Sequence, residues 1–191
     1  AIKPRLKKQM ISKISNSQKN YNFVLLDNFS MLAFSSAIEP LRLANHMANT
    51  NIFSWRLLAV DNKNVACSNG TVVRCDMNLE VDIHRDDIVM LCGGTNIKRT
   101  ISKTLLNWLR RQARKGVSIG GVCTAAQVMA TAGLLEGKKC TIHWENRDSF
   151  QEDFPNHLFS SSVYTVDENR FTAAGGMASA DLMLHLIGKE Y

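Results

Sequence analysis

The chain has 191 residues, 45% of them hydrophobic, which is an ordinary share for a globular protein and enough for one α/β domain with a full core. No apolar run reaches the ~20 residues of a membrane helix, and the N-terminal segment carries charge without an apolar stretch, so neither a membrane span nor a signal peptide is expected. The net charge of +6 sits on a tail: residues 1–20 hold Lys3, Arg5, Lys7, Lys8, Lys13 and Lys19 and no acid, while the rest carries 17 basic and 17 acidic side chains. A short basic tail is more often a solvated extension than a DNA arm, so the charge does not argue for nucleic acid. Five cysteines, an odd number with no CxxC pair and no metal-like Cys/His spacing, point to free thiols in a reducing cytoplasm and to no metal site.

Behind the tail, residues 21–191 read as one domain. Tyr21 to Leu26 is an apolar strand ending at Asp27-Asn28. Ser30 to Met47 has helical spacing, with Pro40 marking a helix start or kink. Phe53 to Val60 reads as a strand, and Asn69-Gly70 as a turn between short strands at Val65 and Val72–Arg74. Asp87 to Leu91 is a near-continuous apolar run, as in a sheet covered on both faces, and ends in Cys92-Gly93-Gly94-Thr95. Ile97 to Lys115 reads as one amphipathic helix closed by Gly116. The stretch from Val117 to Val122 is a strand broken by Gly120 and Gly121. It meets Cys123, and a helix-forming run, Thr124 to Thr131, follows. Lys139 to Ile142 is a short strand and Trp144 to Asp153 a helix stopped before Pro155. Val163–Val166 and Arg170–Ala174 form a hairpin, and Gly175-Gly176 opens a last helix, Met177 to Gly188.

Strands alternating with helices argue for a doubly wound, mostly parallel sheet, whose ligands bind beyond the carboxyl ends of the strands. Asp27-Asn28, Gly93-Gly94-Thr95 and Cys123-Thr124 all fall at such ends. The strand–Cys–helix junction has the outline of a nucleophile elbow, with Cys123 at a helix N-terminus that favours the thiolate. His143, twenty residues on, is the partner such a thiol would use. A lone buried cysteine is usually inert packing, and it is the sharp Gly-Gly-Val-Cys-Thr turn that argues otherwise here. Gly93-Gly94 reads either as an oxyanion hole or carboxylate cradle, or as a plain tight βα turn. With no P-loop and no GxGxxG, no nucleotide cofactor is expected.

The ordered segments DIVMLCGG, SIGGVCTAA, AGLLEGKKCTIHW and RFTAAGGMASADLMLHLI resemble the ThiJ/PfpI domain of the class I glutamine amidotransferase-like superfamily. SSAIEPLRLAN and GVCTAAQVMATAGLLEGKKCTIHWEN resemble, more narrowly, the N-terminal sensor domain of AraC-family transcriptional regulators. The resemblance covers residues 21 to 190 and implies a flavodoxin-like three-layer sandwich that forms a homodimer. Enzymatic members carry a glutamate on the first helix that hydrogen-bonds the elbow thiol, and this chain has Ser36 there, four residues before Pro40, with Glu39 one residue before it. The resemblance therefore implies a former catalytic pocket that binds an effector, with Cys123 and His143 vestigial. The other reading is a cysteine-dependent hydrolase or hydratase. The DNA-binding domain is expected beyond residue 191, making this chain the ligand-binding and dimerisation half. The nearest patterns are regulators of glycine betaine, carnitine and related quaternary amine catabolism, with an arginine-responsive relative. The expected pocket comprises Asn28, Gly94, Thr95, Cys123, Thr124, His143, Trp144 and Glu145. A cation would sit on Trp144 and Glu145, and a carboxylate on the amides of Gly94 and Thr124. Core packing for Trp144 and a helix-N-terminal role for Glu145 remain the alternatives, and Arg42 reads either as a carboxylate holder or, preferably, as a solvated or dimer-interface residue.

Overall fold

The computed structural model describes residues 18–61 and 63–190. Seven strands form one sheet, in the order β10 (Tyr164–Asp167), β11 (Arg170–Ala173), β7 (Ser118–Val122), β6 (Ile88–Cys92), β1 (Lys19–Leu25), β2 (Phe53–Ala59) and β5 (Met77–Asn78). Its centre is parallel: β1 pairs with β2 and β6, and β6 pairs with β7. β11 continues it in parallel beside β7, and β10 closes that edge antiparallel. The two-residue strand β5 closes the other edge on β2. This is the expected three-layer sandwich.

The period of two along each strand builds the layers. Phe23, Leu25, Met90 and Cys92 face one buried cluster, with α1 (Met31–Ala48) and α5 (Ala178–Glu190) over it. Val24, Leu26, Val89 and Leu91 face the other, under α2 (Lys103–Arg114), α3 (Ala126–Thr131) and α4 (Arg147–Asp153). Every residue of β6 is buried, as its unbroken apolar run requires. Gly120 and Gly121 belong to this packing: a Cβ on either would stand 2.8 Å from a methionine sulfur, Met90 on one face and Met129 on the other.

Several elements depart from the sequence reading. Lys19 and Asn20 belong to β1 rather than to the tail, and the Lys19 ammonium lies 3.7 Å from Glu190. The other basic residues of the tail lie outside the described residues. The helix expected from Ile97 is a 3-10 turn, Ile97–Thr100, followed by a break and then α2, whose start is fixed by the Ser102 hydroxyl accepting from the Leu105 N–H. α1 runs through Pro40, which is buried, so the residue neither starts nor ends the helix. Thr124 and Ala125 form a turn ahead of α3. Two further hairpin or edge pieces, β3 (Asn64–Ala66) with β4 (Val72–Arg74), and β8 (Lys139–Cys140) with β9 (Leu158–Phe159), stand outside the main sheet. Among the described residues no helix is long and apolar enough to cross a membrane, and all five cysteines are free and buried.

Candidate functional site

Three loops meet at the carboxyl edge of β1, β6 and β7, and they meet closely. Asn28, with φ 60°, turns its carbonyl to the Thr95 N–H at 3.1 Å, and the Ser30 N–H reaches the Gly93 carbonyl at 2.9 Å. A Cβ at Gly94 would lie 1.9 Å from the Asn28 oxygen, and one at Gly93 would lie 2.6 Å from both Ala125 N and Thr124 Oγ1. Only hydrogen fits at these two positions. The Thr124 hydroxyl donates to the Gly94 carbonyl at 2.7 Å, which ties the elbow to the β6 loop. The Asn69-Gly70 turn brings in a fourth loop: the Ser68 N–H donates to the Phe29 carbonyl at 2.9 Å.

Cys123 is the elbow. Its φ of 61° is left-handed, an uncommon conformation for a residue with a side chain, and tolerated only where the surroundings hold it. The turn leads into α3, and the cysteine is 6% exposed at the floor of a cleft of about 310 Å³. Ser68, Gly94, Thr95, Asn96, Thr124, His143, Glu145 and Asn146 complete the cleft. His143 is anchored by its own N–H to the Cys123 carbonyl at 3.2 Å, and its Nδ1 lies 3.8 Å from Glu145 Oε2. Gly175, at φ 114°, lets ring and thiol share this space. A Cβ there would be 2.6 Å from His143 Cδ2 and 3.5 Å from Cys123 Sγ.

The sequence favoured a thiolate at Cys123, and the structure reverses that. Burial pushes the thiol up to about 11, the N–H and hydroxyl of Thr124 pulling it down and the Glu145 carboxylate pushing it further up. The hydroxyl's one proton already points to Gly94 O. α3 begins two residues beyond Thr124 and spans only six residues, so its dipole is weak at the sulfur.

Of the expected residues, Gly94, Thr95, Cys123, Thr124, His143 and Glu145 line one cleft. Asn28 does not; it stands behind the cleft and sets the Gly94–Thr95 backbone. Trp144 does not line it either. It is 73% exposed, stacks at 5.7 Å on His143, and lines a neighbouring cleft of about 420 Å³ with Arg147, Phe159 and Gly175. Core packing for Trp144 is thereby excluded. Asp27 lines a third cleft, with Asp61 and Arg99. Residues missed in the sequence are Ser68, Asn96, Asn146 and Gly175. Asn96, with φ 56°, follows Gly93-Gly94-Thr95, and an asparagine there was a legible left-handed signal.

A sequence profile of the DJ-1/PfpI family matches residues 22–189. The chain belongs to the DJ-1/PfpI family. HTH-type transcriptional regulator GbdR of Pseudomonas aeruginosa is 38% identical over 177 residues, 93% of this chain and 48% of the relative. HTH-type transcriptional regulator CdhR of the same organism is 39% identical over 173 residues, 91% of this chain and 51% of the relative. The chain thus spans about half the length of these curated relatives. An AraC family transcriptional regulator from Pseudomonas putida superposes with a TM-score of 0.79 at 27% identity, over 91% of this chain and 92% of that one.

Within this DJ-1/PfpI domain no carboxylate from α1 lines the Cys123 cleft. Ser36 turns its hydroxyl to the Met177 sulfur at 3.6 Å, in the groove between α1 and α5. Glu39 is held by Arg42 at 2.6 Å on the exposed face of α1, and that ion pair holds its carboxyl below the usual carboxylate range. Arg42 therefore serves neither cleft. The carboxylate that does line the Cys123 cleft is Glu145, from the far end of the chain.

Proposed function

We propose that this chain is the effector-sensing and dimerisation domain of a bacterial AraC-family transcriptional regulator, working in the cytoplasm and reaching DNA through a helix-turn-helix region outside these residues. Its effector is a small amino acid or quaternary amine, bound in the cleft over Cys123 with its cation beside Glu145. The observation that carries this reading is a polar cleft that keeps the elbow's geometry without its chemistry. The thiol is protonated, and Ser36 lies in the α1–α5 groove. No carboxylate from α1 reaches the thiol, and the one near the pair, Glu145, lies 3.8 Å from His143 Nδ1 and raises the thiol rather than activating it, whereas a rigid polar cavity suffices for binding. The regulators GbdR and CdhR, similar over nearly the whole chain, support the same reading.

The groove between α1 and α5 is proposed as the homodimer face. It is apolar, about 600 Å³, and bordered by the exposed Leu43, Met47, Met177 and Leu184. Glu39 and Arg42 sit beside it, acid next to base on one helix. In a two-fold interface each patch meets its own copy, so such a pair can exchange partners across the axis.

A thermal-shift panel of amino acids and quaternary amines, including glycine betaine, carnitine and arginine, tests the sensing role. A ligand that binds only the folded state raises the melting temperature. One or more panel members should do so, and should slow alkylation of Cys123. Amidase, peptidase or hydratase turnover that vanishes in Cys123→Ala would replace the sensing role with an enzymatic one.

A further inference from the structure

Two clefts share His143 as a wall. The inner one holds Cys123, and among its lining residues the one permanently charged side chain is Glu145. The outer one holds Trp144 and Phe159, and the one charged side chain other than His143 is Arg147. The two compartments therefore carry opposite formal charge on either side of one imidazole. Arg147 is exposed and stacks its guanidinium 5.0 Å over the Phe159 ring. Among the described residues it pairs with no carboxylate within 4.0 Å, whereas seven other arginine or lysine side chains do: Lys19, Arg42, Arg56, Arg85, Lys98, Lys115 and Lys138. A guanidinium fixed on an aromatic face keeps its forked N–H edge open for a carboxylate. Ser161 and Ser162 add hydroxyls to the same cleft, and Trp144 presents its indole at the rim.

We infer that the two clefts form one bipartite site for a ligand whose cation and carboxylate are separated by a spacer. The cation sits at Glu145 in the inner cleft, the spacer crosses His143 and Trp144, and the carboxylate lies on Arg147 in the outer cleft. This inference rests on the effector-binding role of the Cys123 cleft and specifies its ligand class. It replaces the carboxylate cradle expected at the Gly94 and Thr124 amides. A carboxylate in the inner cleft would face Glu145, and of the two Thr124 donors the hydroxyl is held by Gly94 O while the N–H faces the Cys123 sulfur. The same charge argument excludes the reversed pose, which would place the cation against Arg147. In this arrangement the spacer is the selectivity element, because both charged groups are engaged only by a ligand that passes the imidazole they flank.

Calorimetry on the 191-residue chain tests this with glycine, 4-aminobutyrate and 6-aminohexanoate, and with hexylamine and hexanoate as single-charge controls. The expected result is that 6-aminohexanoate binds at least ten-fold tighter than either control and tighter than glycine. Arg147→Gln should remove its advantage over hexylamine while leaving hexylamine binding unchanged, and Arg147→Lys should restore part of it. Glu145→Gln should remove the advantage over hexanoate. Circular-dichroism melts of each variant establish that it is folded. If 6-aminohexanoate binds no tighter than hexylamine, or Arg147→Gln weakens both alike, the bridge is overturned and the single-cleft sensor stands. If no probe binds and none protects Cys123 from alkylation, both the bridge and the effector role of the inner cleft are overturned.

Discussion

The elbow cleft and the α1–α5 groove are made in opposite ways. The cleft is assembled from loop ends in left-handed or sterically exacting conformations: Asn28, Asn96 and Cys123 at positive φ, Gly93 and Gly94 where a Cβ has no room, and Gly175, which needs both. The groove is the side of two helices with no left-handed residue in its lining, made mostly of methionine, leucine, isoleucine, alanine and Pro40, with Ser35, Ser36 and Glu39 among them. Backbone strain costs free energy and persists where the surroundings impose it, so the cleft marks a place where atoms must be held in fixed positions. Exposed leucine and methionine cost little until water is removed from them, so the groove marks a place where position matters less than coverage. A small polar ligand suits the first, and another protein surface the second.

The largest effect is expected from breaking the cleft's backbone. Gly94→Ala would drive a Cβ into the Asn28 carbonyl, and a destabilisation on the order of 3 kcal/mol, the upper end for overpacking, should appear as a lower urea midpoint. A fall below ~1 kcal/mol would show that the loops yield. The groove should break differently. Leu184→Glu puts a charge on its exposed rim, so, on the proposal that this groove is the subunit face, the melting temperature of the isolated subunit should hold while light scattering shows a monomer at concentrations where that proposal expects the parent to dimerise. A roughly hundred-fold weaker dimer is expected, the cost of burying an unpaired charge.

The thiols give a pH signature confined to the interior. Burial holds Cys123, Cys75 and Cys140 at about 11, above the ordinary thiol value of about 8.5. The folded state keeps these protons longer than the unfolded state. Their stabilisation is therefore full below pH ~8.5 and is lost as pH rises toward about 11. Urea midpoints should be flat from pH 7 to 8.5 and fall above it. Cys123→Ala should fall less steeply, by an amount on the order of 2 kcal/mol over the window. In the outer cleft, Trp144→Ala should weaken 6-aminohexanoate about five-fold, on the order of burying one or two CH2 groups of the spacer against the indole, and by more than Cys123→Ser. The smallest effect is on the groove side of the molecule. Gly188 in α5 has open space where a Cβ would go, so Gly188→Ala should stabilise by about 0.5–1 kcal/mol.

Strong local signals were legible in the sequence. β6 read as a strand because both faces of it are covered, and the elbow read as a turn because Gly-Gly-Val-Cys-Thr has few other uses. What was not legible depends on the third dimension. β5 and β9 are two residues each, too short to show a period, and are strands because neighbours offer hydrogen bonds. The break at Ile101 was hidden because the apolar spacing continues through it, while the Ser102 cap decides where α2 starts. The raised thiol pKa was missed because helix polarity is readable from order along the chain and desolvation is not. Trp144 and Glu145 are successive in sequence, yet Trp144 lines the outer cleft and Glu145 the inner one, and only the backbone turn after His143 determines which.

Residues 175 to 177 touch three regions in a row. Gly175 abuts His143 and Cys123, Gly176 approaches Leu32 of α1, and Met177 lines the groove and meets Ser36. Only Gly175 and Gly176 separate the proposed ligand wall from Met177, so a displacement of the His143 ring has a path of three residues to the proposed subunit face. Coupling of this kind is reciprocal. Whatever factor an effector adds to subunit affinity, assembly must return to effector affinity. A titration of the effector at protein concentrations above and below the dimer midpoint would therefore read the same coupling constant from the other end.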